Sequence, residues 1–309
     1  MLKNTKILIT GATGEVARAI AEHLAPANEV WAAARFTNPA LRKRLDEQGI
    51  RTFAWTLGDA DFPGLPDDFD HVIHAACNIF PVANDYDASV RDNAEGTGLL
   101  MHHVRRAKSF LYVSSLAAYS EVSDNSIPRV ETDPLGCHQR FAPSYGIGKV
   151  ATEAVVRTLA RLYALPTLIG RLGMNYGIGC SGAPDFYFKD MMAGKPIVVP
   201  PRGRSYCALV HNSDVVEWVE PLLGAASVPA TIVNWTGDDY VDERDMCEYM
   251  ARIARLDVEF IEDPKAGYYG GVADPTRRRA ITGPARPWKK SFLEMLRANY
   301  PDHTFVEVD

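Results

Sequence analysis

Near its start the chain reads Lys6-Ile7-Leu8-Ile9-Thr10, an apolar run, followed at once by the turn Gly11-Ala12-Thr13-Gly14-Glu15-Val16-Ala17. The apolar run predicts a short strand, and a helical pattern begins at Ala17. Glycines between a strand and a helix let the backbone turn sharply and approach a pyrophosphate, whose charge is favoured by the free N–H groups at the helix start. The turn therefore indicates a dinucleotide-phosphate site. An ordinary glycine-rich turn is the alternative, because such a motif needs structural context.

Strand and helix patterns alternate after this turn. Apolar runs predict strands at 28–34, 51–56, 70–76, 109–115 and 167–171, and helical patterns cover 39–48, 92–108 and 144–165. This alternation is typical of an α/β fold with a parallel, doubly wound sheet of the Rossmann type. Tyr206–Val210 and Ala230–Asn234 predict returning strands of the same sheet.

Two interleaved parts are predicted from this pattern. A Rossmann domain that binds the dinucleotide covers residues 1–171 and about 206–235. A smaller C-terminal substrate lobe covers about 172–205 and 236–309, where the sequence up to residue 204 is rich in Gly, Pro and aromatic residues. The absence of a linker-like tract indicates that the lobe is woven from separated segments.

Composition limits the possible partners. The chain has 309 residues, of which 47% are hydrophobic, and its net charge is −6, which argues against nucleic acid or an anionic membrane as a partner. No apolar run reaches the length of a membrane span, and the segment before the first strand is too short for a signal peptide. The five cysteines lack a metal-type spacing, and the histidines form no metal-binding pattern. We expect a cytoplasmic protein that acts on a small molecule without a metal.

The end of the second strand indicates which dinucleotide is preferred. An NAD enzyme usually places Asp or Glu there, against the ribose 2′-hydroxyl, but here Ala34 is followed by Arg35. An arginine can pair with a 2′-phosphate and stack on adenine. The sequence therefore predicts NADP(H) as the preferred cofactor, with NAD(H) possible. The alternative is that Arg35 only solvates the end of a strand.

Other strand ends supply further cofactor candidates. Asp59 could accept a hydrogen bond from the adenine amino group, although Asp is also a common turn residue. The small residues Ala75 and Ala76 would let the cofactor run past the end of the fourth strand. From the residues alone, the predicted cofactor contacts are Gly11, Thr13, Gly14, Glu15, Val16, Arg35, Leu57, Asp59, Ala75 and Ala76.

Tyr145 and Lys149 are four residues apart on a predicted helix and therefore share one face. A free tyrosine titrates near pH ~10 and is a poor base, but a nearby ammonium stabilises the phenolate. Tyr145 could then exchange a proton with a substrate hydroxyl or carbonyl as a hydride moves to or from nicotinamide. Ser115, at the end of a neighbouring strand, could donate a hydrogen bond to the same oxygen. Tyr-x-x-x-Lys alone is a weak pattern, and the strands and glycine turn before it make it strong.

These ordered motifs resemble the extended short-chain dehydrogenase/reductases, the NAD(P)-dependent epimerase/dehydratase family. The resemblance covers nearly the whole chain. The matching motifs are the turn at 10–17, Gly58-Asp59, His74-Ala75-Ala76, Asn93 with Gly96-Thr97, Val113-Ser114-Ser115 with Tyr119, Tyr145-Gly146-Ile147-Gly148-Lys149, Arg171 with Asn175-Tyr176-Gly177, Arg204-Ser205-Tyr206 and Ala273-Asp274-Pro275-Thr276.

The resemblance implies a role for each matching position. It implies that Ser115, Tyr145 and Lys149 are catalytic, and it adds Asn93, Tyr145 and Lys149 to the cofactor contacts. The implied substrate-binding residues are Ser115, Asn175, Tyr176, Arg204 and Tyr206. It also implies a homodimer, in which the helices 93–108 and 144–165 of two subunits form a four-helix bundle.

Departures from the family pattern narrow the reaction. The sugar-nucleotide dehydratases carry an Asp-Glu pair just after the catalytic hydroxyl, and the related decarboxylases need that Glu. Here Leu116 and Ala117 occupy these positions, so both reactions are disfavoured. Relatives that bind uridine diphosphate sugars use a second arginine shortly before the C-terminal signature, where this chain has only Lys265 as a cation.

The leading hypothesis is therefore an NADP-dependent oxidoreductase that interconverts a carbonyl and an alcohol. The aromatic residues Tyr176, Phe186, Tyr187 and Tyr206 would line the substrate site or belong to the core of the lobe. A nucleotide-sugar epimerase with a retained NAD(P) is the alternative. A third hypothesis, a non-catalytic NADP-binding sensor or scaffold, does not require the intact catalytic set.

Overall fold

The computed structural model describes residues 2–122, 124–136, 142–203, 205–264, 266 and 271–308. The chain divides into two compact units. The first unit comprises Met1–Ser120, Pro134–Arg171 and Val216–Val233, and the second comprises Glu121–Asp133, Leu172–Val215 and Asn234–Asp309. Each unit is built from separated segments, and the assignment of cofactor and substrate roles to the two parts stays a prediction.

The secondary-structure elements follow one another as strands and helices. In chain order they are β1 (Lys6–Thr10), α1 (Glu15–Leu24), β2 (Glu29–Ala34), α2 (Pro39–Glu47), β3 (Arg51–Ala54), β4 (His71–His74), α3 (Tyr86–Ser89), α4 (Gly96–His103), β5 (Ser109–Ser115), α5 (Ser144–Leu162), β6 (Thr167–Leu172), β7 (Met174–Tyr176), α6 (Ala183–Met192), β8 (Ile197–Val199), β9 (Tyr206–His211), α7 (Asn212–Gly224), β10 (Thr231–Trp235), β11 (Tyr240–Asp242), α8 (Glu243–Ala254), β12 (Phe260–Glu262), α9 (Thr276–Thr282) and α10 (Trp288–Asn299). A π-helical turn, Val90–Glu95, joins α3 to α4.

A seven-stranded sheet forms the main layer, in the order β10-β6-β5-β4-β1-β2-β3. The pairs of β1 with β2 and β4, of β2 with β3, and of β4 with β5 are parallel. The order changes direction at β1, and this switch point is where open α/β sheets place their ligand. The predicted Rossmann-type sheet with flanking helices is therefore confirmed.

The strands of this sheet are apolar because helices cover both of its faces. Ile7, Leu8 and Ile9 of β1 are fully buried, as expected for a central parallel strand. Amphipathic α1 contributes Ile20 and Leu24 to the buried side of the layer. This packing holds the carboxyl ends of the strands, where the candidate site lies, in fixed positions.

The second unit contains two small sheets. β9 runs antiparallel to β11 and parallel to β7, and β12 pairs with β8. Buried side chains of α6, α8 and α10 pack into the apolar core of this unit. The prediction that Tyr206–Val210 returns to the main sheet is therefore wrong, because both edges of β9 are occupied by β7 and β11. The second returning strand, predicted at Ala230–Asn234, does join the main sheet as β10.

Candidate active site

The glycine turn after β1 requires glycine at its first position for two reasons. Gly11 has a φ of +75°, and a Cβ atom built on it would lie 2.8 Å from the backbone nitrogen of Ala76. Its own N–H donates to the carbonyl of Ala33 at 2.8 Å, so the turn is bound between the ends of β2 and β4. Gly14 is the N-cap of α1, and no described side chain caps the helix there. The start of α1 is consequently suited to an anionic phosphate.

A cleft of about 370 Å³ lies beside this turn, within the first unit. Seven of the residues predicted to bind the cofactor line it, and these are Gly11, Thr13, Gly14, Arg35, Leu57, Ala75 and Ala76. The residues that the sequence interpretation missed are Ala33, Ala34, Trp55, Thr56, Cys77, Asn78 and Ile79. All of them lie at or just after the ends of predicted strands, so including the last residues of each predicted strand and the few that follow would have found them.

The arginine at the end of β2 is exposed at the rim of this cleft. Within the part of the chain that the structure describes, the Arg35 guanidinium forms no hydrogen bond or ion pair. Its charge is thus available to a ligand. This exposure agrees with a contact to a 2′-phosphate and equally with solvation of the strand end. Asp59, by contrast, does not line the cleft, because its carboxylate accepts a hydrogen bond from the Thr56 N–H at 3.1 Å and closes the turn after β3.

Asn93 is also outside the cleft lining, and its side chain is used to hold the wall of the cleft. Its Oδ1 accepts from the Asn78 N–H at 2.7 Å, and its Nδ2 donates to the Asn78 and Ser89 carbonyls, each at 3.0 Å. Asn78 itself lines the cleft. The structure therefore places Asn93 behind the wall. Glu15 and Val16 of α1 do not line the cleft either.

A chain of hydrogen bonds that runs from Ala76 to Asn93 also holds the wall of the cleft. The Ala76 N–H donates to Thr10 Oγ1 at 3.2 Å, and Thr10 Oγ1 lies 2.7 Å from His74 Nδ1. On the other side, His74 Nε2 lies 2.7 Å from Thr97 Oγ1, which donates to the Asn93 carbonyl at 2.6 Å. Because the Thr97 hydroxyl is already a donor, the network assigns the proton to His74 Nε2 and makes Nδ1 the acceptor.

His74 is neutral in this network. Its side chain is fully buried, and burial, with a smaller contribution from the Lys149 charge, lowers its pKa to about 3. A neutral imidazole is what the donor and acceptor pattern requires. The sequence interpretation of His74 as a packed strand residue agrees with these contacts, which make it a support for the cleft wall and leave it no free nitrogen.

Ser115, Tyr145 and Lys149 are brought together at the end of β5 and the start of α5. The side chains of Tyr145 and Ser115 lie close enough for Ser115 to influence the Tyr145 phenol. Lys149 Nζ lies 5.7 Å from the centre of the Tyr145 ring and donates to the Val113 carbonyl at 2.9 Å. The Ser115 hydroxyl accepts the Ala117 N–H at 3.2 Å, which leaves its proton directed away from that turn. The arrangement can bind a substrate oxygen between two hydroxyl groups.

The pKa values of this group depend on burial as well as on charge. Burial raises the pKa of the Tyr145 phenol, and Lys149 and Ser115 act in the opposite direction without cancelling it. Burial acts to lower the pKa of Lys149, but its interactions with Cys77 and the neighbouring tyrosines raise it overall. Lys149 therefore stays a cation beside a protonated phenol, and the predicted lowering of the tyrosine pKa is outweighed by burial.

Of the predicted substrate residues that the structure describes, Ser115 lies in the first unit, and Asn175, Tyr176 and Tyr206 lie in the second. The Tyr176 ring is buried against His211 and Phe292, with ring centres 5.2 and 4.6 Å away, so it is part of the core of this unit. The Tyr187 hydroxyl donates a hydrogen bond to the carboxylate of buried Glu243. Phe186 is exposed. Core positions thus account for part of the aromatic set.

Two polar candidates lie on strands of the second unit, Asn175 within β7 and Tyr206 at the start of β9. Asn175 donates to Cys180 Sγ at 3.3 Å, and its Oδ1 is buried without a described partner. Tyr206, at the start of β9, is partly buried. Arg204 and Lys265 lie outside the described residues.

The part of the chain that the structure describes contains neither a membrane-spanning helix nor a cluster of metal ligands. No described helix is both long enough and apolar enough to cross a membrane. Within the same residues, no group of three or more His, Cys, Asp or Glu side chains is placed to hold a metal ion.

A sequence model described as the NAD dependent epimerase/dehydratase family matches residues 7–234 of this chain. No curated protein matches the sequence at a significant level. The sequence evidence for the family therefore comes from that model, and it covers the seven strands of the main sheet almost completely.

Solved structures with the same fold are similar over nearly their whole length. A UDP-N-acetylglucosamine 4-epimerase from Methanobrevibacter ruminantium M1, in complex with UDP-N-acetylmuramic acid, has a TM-score of 0.83 at 15% identity, covering 97% of this chain and 100% of that one. A UDP-glucuronic acid 4-epimerase from Bacillus cereus, with UDP-glucuronic acid and NAD, has a TM-score of 0.80 at 17% identity, covering 96% and 99%. The Bordetella bronchiseptica enzyme WbmG, in complex with NAD, has a TM-score of 0.78 at 19% identity, covering 97% and 95%. At these identities the likeness concerns the fold.

Proposed function

The chain belongs to the NAD-dependent epimerase/dehydratase family, and we propose that within it the protein is a nucleotide-sugar epimerase. The observation that carries this proposal is the joined set of Ser115, Tyr145 and Lys149, followed by two buried apolar residues, Leu116 and Ala117. A set of this kind can move a proton at a carbinol oxygen, and neither of the two residues that follow Ser115 can act as the acid for an elimination. An epimerisation needs the first function and not the second.

The chemistry supplied by the bound nicotinamide is acceptance and return of a hydride. Tyr145 exchanges the proton of the ring hydroxyl, and Ser115 donates a hydrogen bond to the same oxygen. Lys149 stabilises the phenolate that forms, because its ammonium lies close to the tyrosine ring. Return of the hydride to the opposite face of the resulting ketone, with return of the Tyr145 proton to its oxygen, would give the alcohol of inverted configuration.

The relatives support the epimerase over the oxidoreductase that the sequence placed first. Those with the same fold include a 4-epimerase in complex with UDP-N-acetylmuramic acid and another in complex with UDP-glucuronic acid and NAD. A dissociable-cofactor carbonyl reductase is the second candidate, and Arg35 at the cleft rim is the observation that favours it. An exchangeable reductant is commonly NADPH, and Arg35 is placed to bind a 2′-phosphate.

Turnover with sugar nucleotides tests the two candidates directly. The purified protein is incubated with UDP-glucose, UDP-N-acetylglucosamine or UDP-glucuronic acid, and the anomeric protons are followed by NMR. Conversion to the 4-epimer without accumulation of NADH, with dinucleotide released only when the protein is denatured, is expected. If no sugar nucleotide is converted but a carbonyl compound consumes one equivalent of NADPH, the reductase is correct and the epimerase proposal fails.

Cofactor preference is tested at the cleft rim. Removing the Arg35 guanidinium is expected to weaken NADPH binding by about tenfold and leave NADH binding unchanged, since only NADPH has a 2′-phosphate. Arg51→Ala, an exposed arginine at the start of β3, is the control. If Arg35→Ala changes neither affinity, Arg35 only solvates the end of β2.

We also propose a homodimer formed through α4 and α5. Leu99 and Leu162 are exposed on these two helices. A second copy of the same helices would cover both side chains. Light scattering during gel filtration is expected to give twice the mass of the chain, and Leu162→Glu should lower it to that of a monomer.

A further inference from the structure

We propose that Glu153 and Arg171 are positioning residues, whose buried ion pair sets the register between β5 and α5 and thereby brings Ser115 to Tyr145. Neither residue lines the cofactor cleft. The inference rests on the proposed function for its activity measurement, and on the structure alone for its spectroscopic one.

Three consecutive residues at the end of β5 contact three residues of α5. These contacts pair Ser115 with Tyr145, Val113 with Lys149, and Ser114 with Glu153. The α5 partners are spaced four apart, so they lie along one face of the helix. Two of the contacts involve the catalytic residues, and the third involves a residue that no catalytic role explains.

That third contact is the most strongly supported of the three. The Ser114 hydroxyl donates to Glu153 Oε1 at 2.6 Å, and Arg171 donates from Nε to Oε1 at 3.0 Å and from NH2 to Oε2 at 2.8 Å. Both charged side chains are almost completely buried, at 1% and 2% exposure. The Arg171 guanidinium also lies 4.7 Å from the centre of the Tyr119 ring. The pair therefore joins α5 to the ends of both β5 and β6.

A buried ion pair of this kind contributes more to geometry than to stability. Desolvation of the two charges offsets much of their attraction, so replacing both by apolar residues is often tolerated, whereas removing one leaves a buried charge unpaired. A bidentate arginine–carboxylate pair does, however, restrict both distance and angle. We attribute its presence behind the catalytic hydroxyls to that restriction.

The consequence for catalysis follows from chain connectivity. Ser114 is covalently next to Ser115, and Glu153 lies one helical turn after Lys149. Loss of the pair allows β5 and α5 to slide by a fraction of an ångström, which separates the two hydroxyls that share a substrate oxygen. A misplacement of about 1 Å can cost about a hundredfold in rate.

The test replaces both charges at once, as Glu153→Met with Arg171→Met. The expected result is a kcat lower by about 10- to 100-fold, with KM and dinucleotide affinity within about twofold of the parent. The matched control is Arg278→Met with Asp238→Leu, which removes another buried arginine and its carboxylate partner in the second unit. A double variant whose kcat stays within about twofold of the parent, or falls no more than in the control, overturns the proposal.

A spectroscopic measurement separates this proposal from the proposed function. Tyrosine labelled with ¹³C at Cζ reports the surroundings of the Tyr145 phenol, including its interaction with Ser115, and its resonance is assigned with Tyr145→Phe. The signal is expected to shift in the Glu153/Arg171 double variant and to stay in place in the control. An unshifted signal would show that the ion pair does not set the register between β5 and α5. This conclusion holds even if the parent protein converts no sugar nucleotide.

If the double variant does not fold, Ser114→Ala decides the question. It removes only the hydroxyl that donates to Glu153 and leaves the ion pair intact. A shifted Tyr145 signal with an unchanged melting temperature supports the positioning role, and an unshifted signal overturns it.

Discussion

Buried polar groups near the Ser115 and Tyr145 hydroxyls differ from those in the second unit in their hydrogen bonding. The first have partners within the chain, and several of the second do not. In the first unit, His74 and Asn93 have described partners for both of their side-chain polar atoms, and Glu153 accepts three hydrogen bonds. In the second unit, buried polar atoms lack a partner among the described residues, and these are Asn175 Oδ1, Asn212 Oδ1, Thr236 Oγ1 and Glu243 Oε2. In the first unit, Trp55 Nε1 also lacks a described partner, but it lines the cleft beside the glycine turn.

This difference separates two tasks. A saturated network holds its members in one geometry, which suits groups that must meet a reacting atom. A buried polar atom without a partner costs about 1–3 kcal/mol, so it is retained where a ligand or water completes it. The chain itself therefore fixes the geometry of the groups proposed to be catalytic, while these buried atoms of the second unit keep hydrogen-bonding capacity for a ligand or water.

The largest expected effect is at the centre of the saturated region. Tyr145→Phe removes the acid/base group without removing the ring, so kcat should fall by about 10²- to 10⁴-fold with dinucleotide binding retained. Turnover by NMR and dinucleotide titration measure the two properties. A variant within a few-fold of the parent would show that Tyr145 is not the acid/base.

A second prediction concerns the contact between the glycine turn and β4. Gly11→Ala forces a Cβ against the Ala76 backbone at 2.8 Å, so dinucleotide affinity should fall by more than about tenfold, in addition to a strain of about 1 kcal/mol. Gly49→Ala is the matched control, because Gly49 has a φ of +76° and open space around its Cβ position. Calorimetric titration of both variants separates backbone strain from loss of the site, and equal affinities would contradict the role of Gly11.

Breaking the hydrogen-bond chain beneath the cleft wall should have a moderate effect. Thr97→Val leaves the His74 Nε2–H buried without an acceptor, which costs about 1–3 kcal/mol of unfolding free energy and loosens the 75–79 wall. Dinucleotide affinity is expected to fall about tenfold. Thr158→Val is the control, since its hydroxyl also bonds a carbonyl four residues back but is exposed. If urea unfolding finds the two variants equally stable, the hydrogen bonds through His74 and Thr97 do not support residues 75–79 of the cleft.

Protonation of His74 gives a pH-dependent version of the same test. Its folded pKa is lowered to about 3, while the unfolded value is about 6.5, so the unfolded chain binds more protons between these values. Stability should therefore be complete above pH ~6.5 and fall by about 1.4 kcal/mol per pH unit below it. Urea midpoints at pH 7.5 and 5 measure the change, and His74→Gln should remove about 2 kcal/mol of it. An equal pH dependence in the variant would show that other groups cause the change.

The smallest effect on stability is expected in the second unit. Asn175→Leu removes a buried oxygen that has no described partner, so the free energy of unfolding should change by less than about 1 kcal/mol. If Asn175 binds substrate, KM should rise by about tenfold with little change in kcat. An unchanged KM would remove Asn175 from the substrate site and weaken the contrast between the two units.

The features that depend on neighbours along the chain could be predicted from the sequence alone. The glycine turn between β1 and α1, the alternation of strands and helices, and the spacing of Tyr145 and Lys149 are all local or periodic patterns. A period of 3.6 residues places two side chains on one helix face wherever the helix packs. For that reason the Rossmann sheet and the face of α5 that carries Tyr145 and Lys149 could be predicted before any packing was known.

Contacts between residues far apart in the sequence could be known from the tertiary structure alone. Gly11 touches Ala76, Asn93 holds Asn78 behind the cleft wall, and Glu153 pairs with Arg171 in the interior. β9 joins a small separate sheet for the same reason, since its partners are set by packing and not by its own apolar pattern. The sequence pattern of each of these residues allows several partners. The choice among them depends on burial and on saturating every polar group at once, which are properties of the folded chain as a whole.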